Sequence, residues 1–199
     1  MIDIFMEDFL MKFILASQSP RRKELLKLAG INFITIPSNK EEIIDPLLSP
    51  ENQVKALALM KAKHIATDYP DSCVLGSDTI VVLNGKILGK PANTEEAISM
   101  LKSLRANDHQ VMTAVAIVYN DKQIEEVFIN VTTVKFYDLP DEWIIEYVES
   151  GAPMDKAGSY GIQDAGFELV EKIDGDYYSV MGLPISQLKI KLRQLNLIK

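Results

Sequence analysis

The sequence predicts an α/β (α+β) domain built on one elongated mixed β-sheet flanked by helices, with two lobes around a cleft. Three observations predict it. Capped helical segments alternate with short apolar strands through the first hundred residues, and two long β runs separated by a polar turn occupy residues 110–136. No repeat or low-complexity linker divides the chain. With 199 residues, 47% hydrophobic and 25% charged, the composition is that of a soluble domain able to bury one substantial core. Met11-Lys12-Phe13 has the form of a natural start. Residues 1–10 are therefore read as an N-terminal extension and 11–199 as one domain.

The elements follow in order. Residues 13–16 read as a short buried strand; Ser19 caps a helix that has Pro20 at its first position and ends before Gly30. A second strand is expected over 32–36, and a second helix opens at Ser49-Pro50 and runs to about Thr67. Residues 74–83 are strand-like, and Asn84-Gly85 is a two-residue hairpin signal leading into 86–88. Thr94 is expected to cap a third helix through Leu104, with Glu95 and Glu96 where the helix dipole favours acids. Asn120-Asp121-Lys122 turns a large antiparallel hairpin within 110–136. Helix returns over 141–149, a glycine-rich stretch spans Gly151 to Gly166, a strand lies near 167–173, and a helix over 184–195 closes the chain.

The formal charge of −7 argues against broad binding to nucleic acid or anionic membrane, which draws on basic surface. A polyanionic substrate must then meet local cations or a metal. Cys73, the one cysteine, sits in an apolar run and reads as a buried, inert thiol, so no disulfide forms within the chain. Residues 1–10 mix apolar groups with Asp3, Glu7 and Asp8, unlike a signal or transit peptide, and no stretch reaches the ~18 apolar residues of a membrane span. The cytoplasm is the expected location.

Several residues break local rules. Arg21, Arg22 and Lys23 crowd the start of a helix, where the dipole disfavours cations. Either this is a solvated basic turn behind an ordinary Ser-Pro cap, or a strand, a small-residue turn and a helix N-terminus form a phosphate site. Lys61 falls in the middle of the apolar stripe Val54, Leu57, Ala58, Ala62, Ile65. An inward lysine must snorkel to water or meet an anion. Asp78 interrupts the apolar run 74–82, where its charge needs a metal, a catalytic task or a structural hydrogen bond. Taken alone, Lys90 and Glu42 look like loop residues. His64 and His109 form no ligand cluster, and no zinc signature or Walker loop is present.

Together these residues lie in stretches that closely resemble the Maf proteins, nucleotide pyrophosphatases with a fold like that of the inosine triphosphate pyrophosphatases. The matching pieces begin with Leu15-Ala16-Ser17-Gln18-Ser19-Pro20-Arg21-Arg22-Lys23-Glu24, Lys61-Ala62, Gly76-Ser77-Asp78-Thr79-Ile80-Val81 and Gly89-Lys90-Pro91. They continue with His109-Gln110-Val111-Met112-Thr113, Asp155-Lys156-Ala157-Gly158-Ser159-Tyr160-Gly161-Ile162-Gln163 and Val180-Met181-Gly182-Leu183-Pro184. The resemblance covers nearly the whole chain from Lys12, and the order of the pieces makes it specific. It implies that Ser17, Arg21 and Arg22 hold phosphates, with Thr79, Lys156 and Gln163 also binding substrate. It further implies catalytic roles for Asp78, Lys61 and Lys90, and a divalent cation, Mg²⁺ or Mn²⁺, held by Glu42 and Asp78. The motif set is similar to the branch acting on dTTP and UTP rather than on 7-methyl-GTP, and a homodimer is implied. The implied reaction is hydrolysis of dTTP, UTP and modified pyrimidine nucleotides to monophosphate and pyrophosphate. Asp164-Ala165 precede Gly166 where the family often has glycine sooner, and residues 1–10 have no counterpart. A regulatory role in septum formation, binding nucleotide with little catalysis, is the alternative the resemblance carries.

Overall fold

The longest apolar runs fall where the sheet is deepest. The computed structural model describes residues 11–43, 45, 47–163 and 165–199; the expected extension, 1–10, lies outside the described residues. The strands are β1 (Phe13–Leu15), β2 (Phe33–Thr35), β3 (Cys73–Leu83), β4 (Lys86–Leu88), β5 (Asp108–Tyr119), β6 (Ile124–Phe136) and β7 (Val170–Asp174). The helices are α1 (Pro20–Leu28), α2 (Pro50–Ala66), α3 (Thr94–Leu104), α4 (Asp141–Glu149), α5 (Tyr177–Met181) and α6 (Ile185–Gln194). One mixed sheet runs in the order β2-β1-β3-β5-β6-β7, with β4 also on β3. β1 is parallel to β2 and β3, and the remaining pairs are antiparallel.

Strand alternation on β3 divides the core. Cys73 and Leu75 face Leu25, Leu26, Leu188 and Leu192 of α1 and α6. Val81, further along the same side, packs with Leu101, Leu104, Ile144 and Val148 of α3 and α4. Val74, Ile80 and Val82 point the other way, onto Val54, Ala58 and Ala62 of α2. Gly76 lets α2 come close, because a Cβ there would lie 2.3 Å from the Ala58 carbonyl oxygen and 2.8 Å from the Ala62 nitrogen. Burial raises the Cys73 thiol pKa to about 12, as suits an inert side chain.

The cleft follows from the register. β1 covers Cys73 to Leu75 along one edge of β3, and β4 covers Val81 to Leu83 along the same edge. Between them, residues 76–80 are paired only on the β5 side among the described residues. The gap lies just past the carboxyl end of β1, where crevices form in sheets of this kind.

Three details differ from the sequence expectations. Asn93, not Thr94, caps α3: its Oδ1 accepts from the Glu96 nitrogen at 2.8 Å, while Glu96 Oε2 accepts from the Ala92 nitrogen at 2.7 Å. The expected strand at 167–173 starts later, because Ala165–Leu169 forms a 3₁₀ turn. In that turn Gly166 approaches the Gly161 carbonyl and the Tyr147 hydroxyl too closely for any Cβ. The five-residue α5 was not expected, being too short for a periodic signal; Asp176 caps it and Gly182, at φ 116°, ends it. No helix among the described residues is long and apolar enough to cross a membrane.

Candidate active site

The gap in the β3 edge opens into a cavity of about 770 Å³, a size that suits a small organic ligand. Its wall includes all of the residues singled out from the sequence: Ser17, Arg21, Arg22, Glu42, Lys61, Asp78, Thr79, Lys90, Lys156 and Gln163. Five of these are cations, facing the carboxylates Glu42, Asp78 and Asp155, so an acidic protein concentrates positive charge at this cleft.

The acidic side is built by β3 and α2. Alternation places Asp78 on the same face as Gly76 and Ile80, toward α2. Lys61, one turn beyond Leu57 and Ala58, meets it there. Its Nζ lies 2.6 Å from Asp78 Oδ1 and 2.8 Å from Glu42 Oε1, with the Lys61 and Asp78 side chains only 14% and 12% exposed. The inward lysine thus meets anions rather than snorkelling, and both buried charges are compensated. Two hard oxygen donors converge at one point. Mg²⁺ or Mn²⁺ typically takes one or two carboxylates and completes its shell with water and phosphate oxygens. The donor set therefore fits such a cation, although no group of three or more His, Cys, Asp or Glu among the described residues forms a cage on its own.

The basic side is built by the turn into α1 and by the loop after α5. Ser19 Oγ caps α1 by accepting from the Arg22 nitrogen at 3.5 Å. Ser17 Oγ accepts from the Ser19 nitrogen at 3.2 Å and from Arg22 NH1 at 3.4 Å, which leaves its own proton to donate. The Arg22 guanidinium also donates from Nε to the Gly182 carbonyl at 2.9 Å and from NH2 to Thr79 Oγ1 at 3.1 Å. Burial lowers its pKa, against the pull of Asp78. A Cβ on Gly182 would stand 3.4 Å from Arg22 Nε, and Ser77 Oγ donates to the same carbonyl at 3.0 Å.

Arg21 takes a different course, reaching Asp155 Oδ2 at 3.3 Å. Lys156 is buried, its Nζ 2.6 Å from the Ala152 carbonyl and 2.9 Å from Asp155 Oδ1. Burial pushes the Asp155 carboxyl up, but Lys156 and then Arg21 outweigh it and hold the pKa below the usual carboxylate range. Lys90 stands on the exposed loop after β4, and Gln163 on the turn after Tyr160. The Tyr160 hydroxyl is 2.8 Å from His109 Nε2, deep under that turn.

Sequence reasoning missed Asp155, Ser77, Thr113 and the His109–Tyr160 pair. For Thr113 a signal existed: a lone hydroxyl in the apolar run Val111-Met112-Thr113-Ala114-Val115 breaks the same rule as Asp78. For Asp155 the sequence offered only its place at the head of the stretch from Asp155 to Gln163, since its partner Arg21 lies 134 residues away.

The family model described as "Maf-like protein" matches residues 12–195. A dTTP/UTP pyrophosphatase of Bacillus anthracis is 52% identical over 186 residues, covering 94% of this chain and 96% of the relative. A dTTP/UTP pyrophosphatase of Bacillus velezensis is 48% identical over 186 residues, covering 94% and 97%. Among solved structures, a nucleoside-triphosphatase / dITP/XTP pyrophosphatase of Mycobacterium abscessus matches with TM-score 0.43 and 18% identity, over 65% of this chain and 76% of that one.

Proposed function

The chain belongs to the Maf family, and from that premise we propose that it hydrolyses dTTP and UTP, with modified pyrimidine nucleotides, to the monophosphate and pyrophosphate. The observation that carries the reading is the convergence of a carboxylate pair and a cluster of cations on one cavity at the open edge of β3. Such a cavity pairs acid and base chemistry with the charge needed to hold a triphosphate.

In this mechanism Arg21, Arg22, Lys90 and the hydroxyl of Ser17 hold the phosphate oxygens. Lys61 keeps Asp78 and Glu42 in place and adds its own charge to the site. Because Lys61 is bound at Oδ1, Asp78 Oδ2 is the oxygen that takes the proton from the attacking water. The water oxygen bonds to the α-phosphorus as the bond to the β-phosphate bridging oxygen breaks, and pyrophosphate leaves. Glu42 and Asp78 would hold Mg²⁺ or Mn²⁺, which when bound offsets phosphate charge. Gln163, able both to donate and to accept, suits a pyrimidine edge or the ribose, and Lys156 completes the wall beside it. As a nucleotide-pool enzyme the protein acts in the cytoplasm, as a homodimer.

The test is pyrophosphate release from dTTP, UTP, CTP, GTP and 7-methyl-GTP with Mg²⁺ or Mn²⁺. Activity is expected on dTTP and UTP, with kcat at least ~10²-fold lower in Asp78→Asn, the lower end for loss of a positioned base. Silence of the folded wild-type protein across the panel contradicts the reading, and near-normal turnover by the variant removes Asp78 from it.

A further inference from the structure

Arg22 is held by a chain of hydroxyls whose direction can be worked out. Thr113 Oγ1 carries one proton and lies 2.8 Å from the Ser179 carbonyl oxygen, which can only accept. That proton is committed, so in the 2.9 Å contact between Thr79 Oγ1 and Thr113 Oγ1 the donor is Thr79. Thr79, its own proton directed inward, meets Arg22 NH2 as an acceptor at 3.1 Å. The chain therefore runs one way, from the guanidinium through Thr79 and Thr113 to the Ser179 carbonyl. The two threonines face each other directly across β3 and β5. Thr113 is fully buried between Met112 and Ala114, where low local dielectric strengthens each bond of such a chain.

We propose that Thr113 is a positioning residue for the reaction, acting through Thr79 to fix the plane of the Arg22 guanidinium, and that Thr79 serves this chain rather than donating to substrate. The proposal rests on the pyrophosphatase reading and deepens it. Phosphate oxygens at neutral pH accept hydrogen bonds, and a hydroxyl whose proton is directed elsewhere has none to give them. Ser17 is the contrast, since both of its described bonds are ones it accepts. Of the two hydroxyls bonded to the Arg22 guanidinium, Ser17 is thus the one placed to touch phosphate, while Thr79, through Thr113, sets the arginine that does so. Arg21 is tied to the exposed Asp155 and, among the described residues, has no comparable scaffold.

The test compares Thr113→Val, which keeps the shape and removes the hydroxyl, with Thr113→Ser, each in the wild-type and Arg22→Ala backgrounds; Thr113→Ala replaces Thr113→Val should the latter not fold. The readouts are kcat and KM for pyrophosphate release from dTTP, and the ¹⁵N signal and proton exchange of Arg22 Nε–H in the ligand-free protein. Thr113→Val is expected to lower kcat/KM about tenfold, the scale of one hydrogen bond to a charged group, with Thr113→Ser within about twofold. In the Arg22→Ala background the same substitution should change little, and the Arg22 Nε–H of Thr113→Val should exchange faster. Unchanged kcat/KM in Thr113→Val, or an equal loss in the Arg22→Ala background, overturns the proposal. If wild type releases no pyrophosphate, the functional reading fails instead, and the Nε–H signal alone decides: faster exchange upholds the positioning of Arg22, and an unchanged signal refutes it.

Discussion

Lys61 carries more of the account than any other side chain, because its one ammonium satisfies both Asp78 and Glu42. Lys61→Ala should lower kcat/KM for dTTP at least about tenfold by leaving that carboxylate pair without its cation, while the chain stays folded. A variant that is normally active but less stable in a thermal melt would make the lysine structural. His109 gives a prediction of a different kind. It packs edge-on against Phe136 and Tyr160 at centroid distances of 4.9 and 5.4 Å, and burial lowers its pKa from 6.5 to about 4. The unfolded chain takes up this proton below about pH 6.5 and the native one only below about 4, so the neutral imidazole stabilises the fold at pH 7. That contribution, about 3 kcal/mol, fades as pH falls through the window. Denaturant unfolding from pH 7 to 4 should show a wild-type advantage over His109→Gln that shrinks across it; a constant difference contradicts the assignment. At this scale the residues legible in the sequence were those breaking a local pattern, Lys61 in an apolar stripe and Asp78 in an apolar strand. The pairing that satisfies them was not legible, because a compensating charge 17 residues away leaves no local trace.

Among the elements, the contact of α2 with β3 sets the site, and its tightest point is Gly76. Gly76→Ala would drive a Cβ into the backbone of Ala58 and Ala62, push α2 from the sheet and draw Lys61 away from Asp78. Denaturant titration should show a loss of about 1–3 kcal/mol, typical of overpacking, together with reduced kcat/KM. Wild-type stability would mean that α2 shifts freely, and the contact would not be what positions Lys61. Elements with strong caps or long periods were legible: the serine-capped α1 and α2 and the β5–β6 hairpin stand where their residues indicated, as does α4, which has no side-chain cap. The late start of β7 and the short α5 were not, since the first depends on Gly166 packing against Gly161 and Tyr147, and the second on an Asp176 cap over only five residues.

For the whole molecule, function comes from a mismatch of strand lengths. β3 is longer than the pairing that β1 and β4 provide along its edge, and the uncovered residues 76–80 carry Asp78 and Thr79 into the cleft. The mixed sheet with helices on both faces was legible from the sequence. The gap was not, because the partner that covers each strand is decided by tertiary register rather than by local composition. That arrangement puts the carboxylates of Glu42 and Asp78, with Lys61, and the arginines of the α1 turn on the wall of one cleft, where the proposed reaction would take place. The most direct test is hydrolysis of dTTP in water labelled with oxygen-18, with the products analysed by mass spectrometry. Attack of water at the α-phosphorus yields dTMP carrying the label together with unlabelled pyrophosphate; labelled pyrophosphate, or dTDP with inorganic phosphate, would contradict that site of attack.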